Sequence, residues 1–279
     1  LSFSSAVRGA DFPVEPYSSH PTANETAFVE QWKNFLLHQG EADAGRYTAA
    51  LPFSFKCGER SSREWVTIES ARIESGEWRE DRTRTHLLRW RDEQTALYCE
   101  MALTEFRDFP AFQWGIRLRN DGTADSSKIH DFWGMDTGWN AADTSMPVLH
   151  LSIGAPGHED DFCLMSEIMH NSMWDKRRRI AMDTPSNTAW GKEHAYLIPN
   201  DRRSSAVWLP FFNYQTGNDG LILGLGWSGA WRAYFDHQGQ GKSTIQAGIE
   251  NFDSILHPGE AVRSTLNLML YWEGEMLHG

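Results

Sequence analysis

Two stretches of this 279-residue sequence combine aromatic rings with polar groups that could contact a sugar. The first, DFWGMDTGW at residues 131–139, supplies two carboxylates and two indoles as candidates: Asp131, Trp133, Asp136 and Trp139. Carboxylates accept hydrogen bonds from hydroxyl groups, and indole rings stack on apolar faces. A connecting loop whose tryptophans cover a sheet edge would have the same composition, with the aspartates serving turns. We treat the four residues as substrate-binding candidates and keep the structural loop as the alternative.

The second stretch, GLGWSGAWRAYF at residues 224–235, interleaves glycines with bulky rings. Alternation places Trp227 on one strand face together with Leu221, Leu223 and Leu225. Apolar residues in register on a dry face usually form packing, so Trp227 is predicted to lie in the core. The SG pair predicts a turn, and AWRAYF begins the returning strand. Trp231 and Arg232, just past the turn, complete the substrate-binding candidates.

The sequence disfavours other site chemistries. GHEDDFC at residues 157–163, with His170, mixes hard carboxylates with softer ligands and selects neither calcium nor zinc, so we expect an exposed acidic loop and no metal. GWSGAW lacks the second glycine of a G-x-S-x-G elbow, because Ala230 stands there, and no helix-forming run follows. Phosphate-cradling motifs are absent as well. We therefore expect no cofactor.

The charge balance disfavours nucleic acids and membranes as partners. The chain carries 38 acidic and 26 basic residues, a formal net charge of -12, which repels phosphates and anionic lipids. The one basic run, KRRR at 176–179, adjoins acidic residues and is interpreted as a solvated loop. Three cysteines without metal-binding spacing predict no disulfide framework. No apolar run is long enough to span a bilayer and no signal-peptide pattern opens the sequence, so we expect a soluble protein, with the cytoplasm favoured over secretion.

One segment, TANETAFVEQWKNFLLHQG, has the pattern of an amphipathic helix over residues 25–39. Thr22 and Glu25 have capping-box spacing, and Gly40 ends the run. The apolar residues that recur on one face are Phe28, Trp32, Phe35 and Leu36. We expect a single flanking helix, within an N-terminal extension of residues 1–49, that lies against a sheet.

From residue 50 onward, the apolar period shortens to two. The predicted dry faces are Leu97, Cys99, Met101 and Leu103; Phe112, Trp114, Ile116 and Leu118; and Val262, Leu266, Leu268, Leu270 and Trp272. Many strands separated by short turns, without alternating helices, indicate antiparallel sheets packed face to face. The predicted fold class is mainly β, a large antiparallel two-sheet β-sandwich over residues 50–279 with one flanking N-terminal helix.

Four stretches in order along the chain resemble a known family. They are DFPAFQWGIRLRNDG, RRSSAVWLPFFN, GLILGLGWSGAWRA and IQAGIENFDSILHPGEAVRSTLNLML. Together they resemble the N-terminal β-supersandwich domain of glycoside hydrolase family 36, the α-galactosidases, from about residue 50 to the end. The first fifty residues depart from the usual family start.

The resemblance implies a domain without its own catalytic residues. In the family, a barrel after the sandwich performs retaining hydrolysis with two aspartates, and this sequence stops where that barrel would begin. SMWDKRRR is similar to the family's nucleophile motif around Asp175, but Met173 replaces its lysine and no second motif accompanies it. Asp175 is therefore interpreted as a coincidence. The family also implies a loop of this domain that reaches a substrate pocket, and the loop with Asp131, Trp133 and Asp136 is our candidate.

The predicted function is that of a non-catalytic N-terminal domain of an α-galactosidase-like retaining hydrolase, whose substrates are α-galactosides or α-N-acetylgalactosaminides. The expected partners are an α-galactoside-type saccharide and the catalytic barrel of the same polypeptide. Trp231 and Arg232 could contact either one. Two alternative functions stay open: a free-standing carbohydrate-binding sandwich and an oligomerisation module without a ligand. A homo-oligomer is compatible with each of these hypotheses.

Overall fold

A computed structural model of the protein describes residues 21–37, 51–141, 143–154, 161–168, 188–190, 194–197 and 203–274. Helix α1 spans Ala23–Leu36. It begins two residues before the predicted start, because Thr22 is the N-cap: the Thr22 hydroxyl accepts a hydrogen bond from the Glu25 amide, and the Glu25 carboxylate accepts one from the Thr22 amide. The predicted capping box is therefore confirmed.

The rest of the described chain is mainly strand. In chain order the strands are β1 (Ser54–Cys57), β2 (Arg60–Ser61), β3 (Arg72–Ser75), β4 (Thr83–Arg91), β5 (Leu97–Phe106), β6 (Ala111–Asn120), β7 (Ile129–Trp133), β8 (Met135–Asn140), β9 (Val148–Ser152), β10 (Leu164–Ile168), β11 (Thr188–Trp190), β12 (His194–Leu197), β13 (Phe211–Thr216), β14 (Asp219–Gly226), β15 (Trp231–Gly239), β16 (Lys242–Ile249), β17 (Asp253–Ser254), β18 (Ala261–Arg263) and β19 (Leu266–Glu273). A short 3₁₀ turn, Ser62–Glu64, follows β2.

Within the described residues these strands form three antiparallel sheets. A ten-stranded sheet has the order β10-β9-β13-β14-β19-β6-β5-β4-β3, with β18 also paired to β6. A five-stranded sheet has the order β11-β12-β15-β16-β8, and a four-stranded sheet has the order β17-β7-β1-β2. The mainly β, antiparallel fold class is confirmed. The two predicted sheets correspond to the two layers of the sandwich. The ten-stranded sheet forms one layer, and the other layer is divided into two sheets where β7 ends and β8 begins.

Aromatic contacts show how the layers face each other. Phe212 of β13 in the ten-stranded sheet meets Trp231 and Phe235 of β15 in the five-stranded sheet, with ring centroids 5.4 and 5.3 Å apart. On the side of the four-stranded sheet, Phe53, just before β1, meets Trp90 of β4 at 5.9 Å. The core therefore lies between the ten-stranded sheet and the two smaller sheets.

Helix α1 belongs to this core. The predicted apolar face is buried, and it touches both layers. Phe28 packs against Trp139 of β8 in the five-stranded sheet and stacks on Tyr271 of β19 in the ten-stranded sheet. Trp32 packs against Trp114 of β6. The predicted single N-terminal helix thus adds its apolar face to the core and contacts both layers, not one sheet alone.

Hydrophobic alternation identified the buried face of β5 and β6 but not that of β19. The predicted dry residues of β5 and β6 are all buried. In β19, however, the face toward the core carries Asn267, Met269 and Tyr271, while Leu266 is 42% exposed on the opposite face. This prediction was wrong for Leu266, Leu268 and Leu270, although Trp272 is buried, because β19 has large side chains on both faces and a polar residue occupies the core. Asn267 is tolerated there since its amide donates to the carbonyl oxygens of Trp114 and Gly134.

Several predictions lie outside the described residues: the helix end at residues 38 and 39, the boundary at residues 40–50, most of the acidic loop at 157–160 with His170, and the segment of Trp174, Asp175 and KRRR. No helix in the described part of the chain is both long enough and apolar enough to cross a membrane.

Candidate functional site

The candidate site is built on a corner between β7 and β8. Gly134 separates the two strands, and its carbonyl oxygen accepts hydrogen bonds from the buried Trp114 indole at 2.8 Å and from the Asn267 amide at 3.0 Å. A Cβ on Gly134 would lie 2.6 Å from Thr265 Oγ1, and one on Gly248 of β16 would lie 2.6 Å from the Phe132 carbonyl oxygen. The corner is therefore fixed by the core beneath it, and the side chains on it are held in place.

Three of the predicted site residues meet at this corner. Trp133 and Asp131 come from β7, and Arg232 reaches them from β15. Arg232 pairs with Gly248 on the intervening strand, and Gly248 lies against the Trp133 backbone. Because glycine has no side chain, the Arg232 side chain can cross β16 to Trp133. The sequence-predicted combination of aspartate, tryptophan and arginine is thus a spatial cluster.

Asp131 is the central carboxylate of the cluster. Its backbone φ of 48° follows from an irregular pairing with β1, in which Ser54 faces Trp133 and Lys56 faces His130. Lys56 Nζ lies 3.1 Å from one carboxylate oxygen, and His130 Nδ1 lies 3.3 Å from the same oxygen. The hydrogen bond from Lys56 is the main reason why the pKa of Asp131 is lowered. We call Lys56, His130, Asp131, Trp133 and Arg232 the corner cluster.

Arg232 covers part of the Trp133 ring. Its guanidinium carbon lies 3.8 Å from the ring centroid, a cation–π contact. The nearest carboxylate oxygen, Asp131 Oδ1, is 3.9 Å from Arg232 Nη2, which is too long for a hydrogen bond. Trp133 remains partly exposed beside the guanidinium, so the cluster presents an aromatic face with charged groups at its edge.

Asp136 has a structural role in this arrangement. It is buried, and its Oδ2 accepts hydrogen bonds from the Ser54 hydroxyl and, at 2.7 Å, from Arg63. Its Oδ1 accepts a hydrogen bond from the Gln246 amide at 3.2 Å. Both oxygens are occupied by groups from β1, the 3₁₀ turn and β16. Asp136 therefore joins these elements and offers little to a sugar hydroxyl.

Trp139 and Trp231 do not contribute a surface for stacking. Their exposed fractions are 1% and 0%. Trp139 packs on Phe28 of the helix, and the Trp231 indole donates a hydrogen bond to the Ser204 carbonyl at 2.7 Å. Both point to the inner face of the five-stranded sheet, whereas Asp136 and Arg232 point to the opposite face. The structure thus corrects their assignment as substrate-binding candidates, because the core covers the faces that a sugar would need.

Sequence reasoning missed Lys56 and His130. His130 directly precedes Asp131 and could have been included on that ground. Lys56 is 75 positions from Asp131 in the chain, and only the pairing of β1 with β7 brings it near. Among the described residues, no group of three or more His, Cys, Asp or Glu side chains could hold a metal ion.

No family model matches this sequence, and no curated protein matches it. Solved structures do match its fold. The GH36 alpha-galactosidase AgaA from Geobacillus stearothermophilus, in complex with raffinose, superposes with a TM-score of 0.58 at 15% identity, over 82% of this chain and 31% of that chain. The alpha-galactosidase from Lactobacillus brevis gives a TM-score of 0.59 at 12% identity, over 81% of this chain and 30% of that chain.

A third match covers more of this chain. The galactosidase domain of alpha-galactosidase-sucrose kinase, AgaSK, gives a TM-score of 0.57 at 13% identity, over 95% of this chain and 35% of that chain. The resemblance inferred from the four sequence stretches is thus confirmed at the level of the fold. The chain has the fold of a region that makes up about a third of the length of these GH36 alpha-galactosidases.

Proposed function

We propose that this chain is a non-catalytic β-sandwich domain of an α-galactosidase-type retaining glycoside hydrolase, packed on the catalytic barrel of the same polypeptide. The substrates of the whole enzyme would be α-galactosides or α-N-acetylgalactosaminides. The observation that carries the proposal is the fold match, which covers most of this chain and only about a third of each alpha-galactosidase.

One surface of the chain is suited to packing on another domain. The outer face of the ten-stranded sheet, on β10, β13, β14 and β19, carries exposed apolar side chains. Phe211 is 55% exposed and lies over Gly224 next to Leu268, and Leu266 is 42% exposed beside Gly226. We call six outward apolar side chains of these strands the apolar sheet face: Leu164, Phe211, Ile222, Leu266, Leu268 and Leu270.

The same sheet becomes ionic on its other half. Beyond β6, the outer face carries pairs such as Arg89 with Glu100 at 2.8 Å and with Glu74 at 2.6 Å. Charged pairs are well suited to contact with water, whereas an exposed apolar patch on a protein domain usually marks a surface that binds another domain or protein. Gly224 and Gly226 leave room for the exposed side chains of Phe211 and Leu266 to lie over the sheet. This contrast supports the apolar sheet face as the surface that meets the barrel.

The corner cluster is the part of the domain that we place near the substrate. Trp133 offers a ring for stacking on a pyranose, and Asp131 and Arg232 offer polar groups at its edge. The core beneath Gly134 fixes the corner, so the side chains are preorganised for a contact.

The test uses a polypeptide in which this chain is followed by the barrel, with an aryl α-galactoside as substrate. Trp133→Ala is expected to lower kcat/KM by about fivefold, since loss of a stacking ring removes on the order of 1 kcal/mol. Trp78→Ala is the matched control, because Trp78 is also partly exposed beneath an arginine, Arg84, at 4.8 Å. Equal kcat/KM values for the two variants would remove the corner cluster from the proposal.

The corner cluster also supports a second candidate function, a free-standing carbohydrate-binding protein. In that case the 279-residue chain alone would bind galactosides saturably and with quenching of tryptophan fluorescence. A flat calorimetric titration against galactosides and galactosaminides would eliminate this alternative. An oligomerisation module would instead self-associate through the apolar sheet face, which sedimentation would detect.

A further inference from the structure

Within the described part of the chain, no carboxylate is hydrogen-bonded to the Arg232 guanidinium. Its side chain is only 15% exposed, yet the nearest carboxylate oxygen is 3.9 Å away. Its Nε is buried and has no acceptor among the residues that the structure describes. A charged group held in this way gains from an added acceptor oxygen, because hydrogen bonds to charged groups are stronger than neutral ones. Such an oxygen could bind the part of the Arg232 guanidinium that remains open to solvent.

The surroundings of Arg232 carry more positive than negative charge. Asp131 is the one carboxylate of the corner cluster, and Lys56 Nζ lies at 3.1 Å from it. His130 approaches the same carboxylate at 3.3 Å. The next carboxylate along the corner, Asp136, is already paired with Arg63 at 2.7 Å. In a chain with a net charge of -12, the corner cluster thus has two permanent cations, Lys56 and Arg232, for the single carboxylate of Asp131.

A carboxylate that enters the cluster would therefore meet the charge that the protein leaves uncompensated. Lys56 Nζ already lies 3.1 Å from Asp131 Oδ2, whereas Arg232 Nη2 stays 3.9 Å from Asp131 Oδ1. Arg232 is therefore the cation of the cluster that an added carboxylate would reach. The partly exposed ring of Trp133 lies directly against the guanidinium. A ligand that combines a pyranose ring with a carboxylate fits both features at once.

We propose that the corner cluster binds an acidic saccharide, an α-galacturonide-type sugar whose carboxylate lies on Arg232 and whose ring stacks on Trp133. This inference rests on the proposed function, in that it names the class of saccharide for the same site. A neutral galactoside would use the ring contact alone and leave the guanidinium without an anion.

The test is a titration of the 279-residue chain with methyl α-galacturonide and methyl α-galactoside, followed by calorimetry and tryptophan fluorescence. At low salt the acidic sugar is expected to bind about tenfold more tightly or better, because it adds a hydrogen bond between charged groups. Added salt should reduce this preference, since the cluster is half exposed. Equal affinities for the two sugars would overturn the inference.

Two variants separate a charge effect from a folding defect. Arg232→Gln is expected to abolish the preference for the acidic sugar, and Arg232→Lys to retain part of it. Arg263→Gln is the matched control, because Arg263 also lies over a tryptophan, Trp227, at 5.9 Å and outside the cluster. Near-ultraviolet circular dichroism verifies that each variant is folded.

The outcomes distinguish this inference from the proposed function. Binding of the neutral sugar without a preference overturns the acidic ligand and leaves the galactoside-type hydrolase in place. A preference that survives in Arg232→Gln also overturns it. Binding of neither sugar overturns the acidic ligand, while the hydrolysis assay on the barrel-containing polypeptide still decides the proposed function.

Discussion

Replacement of Glu105 by glutamine tests how helix α1 is attached to the ten-stranded sheet. Glu105 is 4% exposed in β5. It accepts a hydrogen bond from His86 Nε2 at 2.9 Å and another from Arg84 Nε, and Lys33 of the helix lies 3.4 Å away. Burial raises the pKa of Glu105, but the bonds from His86 and Arg84 and the charge of Lys33 outweigh it and lower the pKa to about 2.

The contribution of Glu105 to the free energy of unfolding follows from this pKa shift. The ordinary pKa is 4.5 and each pKa unit corresponds to about 1.4 kcal/mol, so the ionised carboxylate stabilises the fold by about 3 kcal/mol at neutral pH. Because the folded pKa is the lower one, this stability is complete above the unfolded pKa and is lost as the pH falls toward the folded pKa. At pH ~3 about half of it remains.

Urea unfolding at pH ~7 and pH ~3 measures both quantities. Glu105→Gln is expected to lower the free energy of unfolding by about 3 kcal/mol at neutral pH, and by about half as much at the acid pH. Glu74→Gln is the control, since Glu74 is 68% exposed in its pair with Arg89, and a loss within about 0.5 kcal/mol is expected. Equal losses in the two variants, or a Glu105→Gln loss independent of pH, would refute this reasoning.

Two further substitutions, each with a matched control, concern the core and the corner. Trp32→Ala should lower the free energy of unfolding by about 3 to 5 kcal/mol in urea, because the indole is buried between the sheets, while the exposed Gln31→Ala should change it little. A Cβ at position 134 would lie 2.6 Å from Thr265 Oγ1, so Gly134→Ala should cost about 1 to 3 kcal/mol. Gly115→Ala, whose added Cβ has ordinary contact at 3.6 Å, should be neutral in the same assay, and equal effects at the two glycines would contradict the fixed corner.

The sequence was sufficient for the fold class because most strands bury one face. The alternation in β5 and β6 identified the buried residues of both strands. It failed in β19, where LNLMLYW offers large side chains at successive positions. There the choice of face depends on Asn267, whose amide group bonds to the nearby Thr265 and also to carbonyl oxygens of β6 and of the corner at Gly134. Such a partner is visible only once the strands are paired.

The candidate site was predictable only in part, because the pairing of the strands also decides which of its residues meet. Asp131, Trp133 and Arg232 have the residue types of a sugar contact, but their proximity depends on the order of β15, β16 and the corner. Trp231 has the same side-chain chemistry as Trp133 and differs only in the direction in which its strand position points. Lys56 enters the cluster through an irregular pairing that no local sequence signal marks.

Hydrolysis of an aryl α-galactoside by two proteins, the 279-residue chain and a polypeptide in which the barrel follows it, decides whether this domain is non-catalytic. We expect no turnover by the chain alone and turnover by the longer polypeptide. Turnover by the chain alone that Asp175→Ala abolishes would contradict the claim, because it would place the catalytic nucleophile within this domain.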